Sequence, residues 1–191
     1  MNESVTTFLS FLTLLGDILF VVLLLAYSLP WALTHKIRRY SNKLIHQYGL
    51  PFILLLSVSS LLGSLFYSEV ALYQPCTLCW YQRIFMYPLA VLVLVSMRRK
   101  SKEVVHYILP LAVLGALIAA YNYLIQIQAA WRPLDSAVPC SLNGASCTVK
   151  YFFEFGYITI PMMSLTAFLL IILISLVIKK GPASTAGQGE K

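Results

Sequence analysis

The chain has 191 residues, of which 59% are hydrophobic and only 11% charged, with a formal net charge of +7. That balance excludes an ordinary soluble globular domain and points to an integral membrane protein. The basic residues gather at the ends of apolar runs, so the positive charge is a topological signal, and no nucleic-acid partner is expected from it.

A helix needs about 20 apolar residues to cross a bilayer, and five segments qualify: 8–31, 50–68, 80–97, 104–128 and 157–178. Transmembrane strands would be roughly half as long and alternating, so the expected class is an all-α membrane protein with five transmembrane helices. Span one follows the leader MNESVTT, whose only charge is Glu3, and its basic residues come after the apolar run. It therefore reads as an uncleaved anchor with the N-terminus outside, not as a cleaved signal peptide. Asp17 lies midway along it, where a carboxylate is costly; a hydrogen bond to a Ser or Tyr of a neighbouring span is expected ahead of a proton-relay role.

Lys36, Arg38, Arg39 and Lys43 follow span one; Arg98, Arg99, Lys100 and Lys102 follow span three; Lys179 and Lys180 follow span five. Such residues near span ends resist translocation, so all three groups are placed in the cytoplasm, and segments 69–79 and 129–156 face outward. The C-terminus is then cytoplasmic. Three regions are expected: residues 1–49, a first span with a basic cytoplasmic loop; 50–178, four further spans; and 179–191, a disordered polar tail. His35, His46 and His106 fall toward the cytoplasmic side and read as ordinary interfacial residues.

All four cysteines, Cys76, Cys79, Cys140 and Cys147, lie in the two outward segments, on the side where disulfides persist. Cys76 and Cys79 stand where the chain enters span three. Cys79 is expected in the first turn of that helix, whose unpaired N–H groups favour a thiolate, and Arg83, four residues on, projects from the same face. A guanidinium inside a span calls for a partner, which an anionic or carbonyl oxygen of a bound ligand would supply. Cys140 and Cys147 sit in a loop rich in Pro, Ser, Asn and Gly, and a disulfide there is open to attack by a thiolate on a soluble protein. Trp80, Tyr81 and Tyr87 read as interfacial aromatics and are left outside the site.

The stretch PCTLCWYQRIFMYPL resembles the signature of the DsbB family of disulfide-forming membrane proteins, in particular its short-loop BdbC-like branch, and the likeness extends over residues 50–178. It implies a bundle of the last four spans with two outward cysteine loops, in a bacterial inner membrane. It further implies a thiol:quinone oxidoreductase. On that likeness, a DsbA-like thioredoxin-fold protein is expected to attack the loop disulfide at Cys140, Cys147 to exchange with Cys76, and Cys79 to deliver electrons to a ubiquinone or menaquinone held near Arg83. A partner poised near about −120 mV needs such an acceptor, because glutathione near about −200 mV could not regenerate it. Where relatives carry a histidine beside the quinone, this chain has Asn122, which can bond a quinone carbonyl but cannot supply a proton.

Other readings compete with this one. A vitamin K epoxide reductase-like protein joins the same ingredients, but there the Cys-x-x-Cys pair follows the loop pair, whereas here it comes first. A non-catalytic scaffold would use the cysteines as two structural staples or as a zinc site; the oxidising side of the membrane argues against zinc, and no metal site is expected.

Overall fold

A computed structural model describes residues 2–29, 31–99, 103–131, 147 and 150–180. Its described elements are five helices, α1 (Asn2–Ser28), α2 (Trp31–Leu65), α3 (Thr77–Arg99), α4 (Val105–Trp131) and α5 (Ile160–Lys180), with a π-helical turn, Phe66–Val70, continuing α2. Each of the five is long and apolar enough to cross a membrane, as the apolar runs of the sequence require.

One expectation is corrected. The stretch between the first two apolar runs, taken as a basic loop, is helical: α2 is a single 35-residue helix. At 1.5 Å per residue it is about 52 Å long, well beyond the roughly 30 Å of hydrocarbon it must cross. Its first turns, with Lys36, Arg39 and Lys43 exposed, project past the apolar layer, where basic side chains stay solvated without breaking the helix.

Helices α2 to α5 form the bundle, and α5 is its most enclosed member. Lipid tails are as apolar as leucine, so such helices associate by close packing. Ala112, Ala116 and Ala119 of α4 share one core with Leu89 and Val93 of α3, Ile53 of α2 and Phe168 and Ile171 of α5. Gly115 lets the Phe168 ring lie directly on the α4 backbone. Gly49 does the same for α2, where an added Cβ would meet Ile178 Cδ1 at 2.8 Å.

Helix α1 packs chiefly on α5, with Leu23 against Leu173 and Val177. Its Asp17 accepts hydrogen bonds from the Thr166 hydroxyl at 2.6 Å and the Tyr157 hydroxyl at 2.8 Å. The tyrosine is a partner of the kind the sequence leads one to expect; the second donor is a threonine. Beyond the π-turn, Leu72 takes a left-handed conformation, φ 57°, and the Tyr73 N–H donates to the Tyr67 carbonyl at 2.9 Å. This reversal delivers the chain to Pro75 and the start of α3.

Candidate active site

Helix α3 begins at Thr77, so Cys76 occupies its N-cap and Cys79 its first turn. The Cys79 N–H donates to Cys76 Sγ at 3.4 Å, which puts sulfur where a capping Ser or Asp oxygen would sit. The two sulfurs are 3.0 Å apart and both cysteines are free. The N-terminal amides of the helix therefore act on Cys76, not mainly on Cys79, because a cap receives its bond from the residue three places on. The Cys79 thiol donating to it, the N–H groups of Cys79 and Leu78, and the Asn122 amide outweigh burial and bring the Cys76 thiol from 9.0 down to about 6.

Asn122, on α4, is fully buried. Its Nδ2 points at both sulfurs, 3.9 Å from Cys76 and 3.7 Å from Cys79, while its Oδ1 has no partner. It lines neither of the cavities described below, so its contacts are with the sulfurs.

Arg83, one turn beyond Cys79, is buried. Its Nη2 donates to the Ser64 carbonyl at 2.8 Å, just before the π-turn, and its guanidinium lies 5.2 Å from the Trp80 ring centroid. Its Nε has no partner. The adjacent Gln82 is also buried, with Nε2 unpartnered. Sequence reasoning passed over Gln82, although a second polar side chain beside an intramembrane arginine was signal enough.

Two cavities meet at this point. A small one of about 50 Å³ holds Cys76, Cys79 and Cys147 in its wall, with Tyr73 and Tyr151. A larger one of about 420 Å³ runs among α1, α2, α3 and α5 and is lined mainly by apolar side chains, with Gln82, Arg83 and Cys79 among its polar exceptions. Cys79 and Arg83 belong to both; Cys76 belongs only to the first. Tyr87, read from sequence as an interfacial aromatic, lines the larger cavity.

Residues just before α5 pack on those just before α3. Tyr151 stacks on Tyr73 at 4.4 Å and donates to the Gln74 carbonyl at 2.8 Å, Tyr73 stacks on Tyr67 at 5.9 Å, and the Tyr123 hydroxyl donates to the Tyr157 carbonyl at 3.0 Å. Cys147 is buried and disulfide-bonded. Cys140 lies outside the described residues. The structure thus brings Cys76, Cys79, Cys147 and Arg83 to one place, with Asn122 behind the sulfurs.

The family model "Disulfide bond formation protein DsbB" matches residues 47–178. The chain is 38% identical over 137 residues to the "Probable disulfide formation protein C" of Bacillus cereus, covering 72% of this chain and 91% of that one. It is 37% identical over 138 residues to the "Disulfide bond formation protein C" of Bacillus subtilis, covering 72% and 95%. With the "SPbeta prophage-derived disulfide bond formation protein B" of Bacillus subtilis the identity is 38% over 128 residues, covering 65% and 83%. No solved structure matches the chain. The Cys76 and Cys79 thiols, the membrane-length helices and these likenesses agree: the chain belongs to the DsbB family and is a disulfide-bond-forming membrane oxidoreductase.

Proposed function

We propose that the chain is a thiol:quinone oxidoreductase that reoxidises a DsbA-like thioredoxin-fold protein and passes the electrons to ubiquinone or menaquinone. The observation that carries this reading is that Cys79 and Arg83 form a common wall between a cavity holding the other sulfurs and an apolar cavity within the helices. The basic clusters support an inner-membrane placement with the N-terminus outside and the C-terminus cytoplasmic.

The residues suit a quinone. The Arg83 Nε–H and Gln82 Nε2–H are buried donors without partners, at the polar end of an apolar space and beside Cys79; a carbonyl oxygen would satisfy either of them. A quinone bound there supplies the acceptor for two electrons and two protons.

The thiol steps belong to the chain. In its oxidised form Cys76 is bonded to Cys79, and Cys140 to Cys147. A partner thiolate attacks Cys140 and releases Cys147, which attacks Cys76 and releases Cys79. The second partner thiol then frees Cys140, and the partner departs as a disulfide. Cys140 closes on Cys147 and expels Cys76, which leaves the dithiol of Cys76 and Cys79. The two sulfurs share a hydrogen bond. Transfer of the Cys79 proton to Cys76 along it moves the negative charge to the sulfur that faces Arg83 and the large cavity. Re-forming the Cys76 to Cys79 bond then gives up two electrons and two protons, balancing the two S–H bonds the partner lost.

The test mixes the purified chain with a reduced DsbA-like protein and either quinone and follows quinone absorbance. Turnover is expected, with Cys147→Ser accumulating a mixed disulfide between the partner and Cys140. Turnover of the partner with no change in quinone would refute the reading.

A further inference from the structure

Helix α1 lies wholly outside residues 47–178, the span of the family match, yet it borders the large cavity. Leu9, Leu12, Thr13, Gly16 and Leu19 line it from α1, a spacing that puts them on one helical face. We propose that α1 is a wall of the acceptor site and, with α2, frames a side window through which the isoprenoid tail of the quinone passes between the cavity and the lipid. This rests on the quinone reading above and adds to it a role for the additional helix.

Two contacts define the window. Near the thiol end, α1 touches α2 where Leu9 Cδ1 lies 3.6 Å from the place of a Cβ on Gly63. At the far end, the Tyr27 hydroxyl donates to Asn42 Oδ1 and lies 3.4 Å from the Ser41 hydroxyl. Between them, Leu12, Leu15 and Leu19 of α1 and Phe52 and Leu55 of α2 line the cavity while remaining exposed. The space therefore opens sideways onto an apolar surface, as a lipid-borne chain requires. The opposite edge is shut. Gly16 brings α1 so close to α5 that a Cβ would stand 3.2 Å from Thr166 Cγ2, and both oxygens of Asp17 are held, one by Thr166 and one by Tyr157. Burial and the neighbouring carboxylate push the Tyr157 hydroxyl up to about 12, so it stays a donor.

The occupant follows from the wall. The lining includes unpartnered N–H donors beside Cys79 and is otherwise mainly Leu, Phe, Met and other apolar side chains, with scattered Ser and Thr, which suits a molecule with a carbonyl head and a hydrocarbon tail. Its volume is in the range that buries a ligand of drug size. A long polyprenyl chain exceeds it and leaves by the window.

The test uses the unmodified chain in lipid nanodiscs with a quinone carrying a photoreactive group on its tail, followed by peptide mapping. Label is expected within residues 9–19 and in α2, and is lost with excess unlabelled quinone. Label confined to α2 and α5, or α1 label that excess quinone does not displace, would overturn the inference. In a second arm, Leu15→Trp narrows the window; the ratio of kcat/KM for a long-tailed quinone to that for a one-isoprene analogue should fall roughly tenfold. An unchanged ratio would also overturn it. If the unmodified chain reduces neither quinone, the proposed function fails and this inference with it. If it reduces both and α1 is unlabelled, only the wall is refuted.

Discussion

Helices α1 and α5 are equally apolar to the eye, yet 11% of the residues in the apolar window of α1 are buried against 56% of those in α5. The central helix is fixed by shape, with Phe168 seated on the bare backbone of Gly115 and Ile178 on that of Gly49. The peripheral one is less enclosed: besides its close approach at Gly16 and the Leu23 contact, it is held by polar bonds, Asp17 to Thr166 and Tyr157 and Tyr27 to Asn42. In hydrocarbon, where leucine on leucine is no better than leucine on lipid, packing density builds a bundle and a polar contact specifies where an extra helix docks. The two regions should therefore fail in different ways.

The largest effect is expected where polar chemistry inside the bundle meets the thiols. Arg83→Leu removes the bond to the Ser64 carbonyl and the cation beside Cys79, and quinone-linked turnover should fall by roughly a hundredfold while the thermal midpoint in detergent changes far less. Gly115→Ala tests the shape-built side: its Cβ would collide with the Phe168 ring, and overpacking of this kind costs about 1–3 kcal/mol, read as a lowered unfolding midpoint. Asp17→Leu tests the polar side. Each membrane hydrogen bond is worth about 0.6 kcal/mol, so the bundle should keep its midpoint while α1 becomes more accessible to limited proteolysis and to hydrogen exchange.

The smallest effect concerns pH. With the Cys76 thiol near 6, alkylation of the reduced pair should rise from pH 5 to pH 7 and then level off; an ordinary thiol would keep gaining up to about pH 9. Asn122→Leu removes one contact that favours the thiolate and should move the midpoint upward, which pH-dependent labelling followed by mass spectrometry would read.

The sequence disclosed most of the architecture because crossing a bilayer imposes a length that no other element imitates, and because Lys and Arg mark span ends. It hid the helical continuity of the basic stretch before Pro51, since a helix leaving the membrane carries the same residues as a loop. The spacing of Cys76, Cys79 and Arg83 showed where the site would be. It did not show which sulfur caps the helix, because capping depends on where the first turn starts, and the difference between Cys76 and Thr77 is a single residue. The direction in which Asn122 points was also unreadable, as it depends on the rotation of α4 against α3. Asp17 announced that it needed partners; that these lie on α5 and just before it, making α1 a wall of the large cavity, is a matter of tertiary placement.

Electrons are proposed to leave the thiols through Cys79, the one cysteine among the described residues in the wall of the apolar cavity. A single-turnover measurement tests it most directly: the chain is reduced beforehand, freed of reductant and mixed with quinone with no partner protein present. Up to two quinols per chain, one for each dithiol, are expected from the unmodified protein and none from Cys79→Ser. Quinol formation by Cys79→Ser at the unmodified rate would contradict the account.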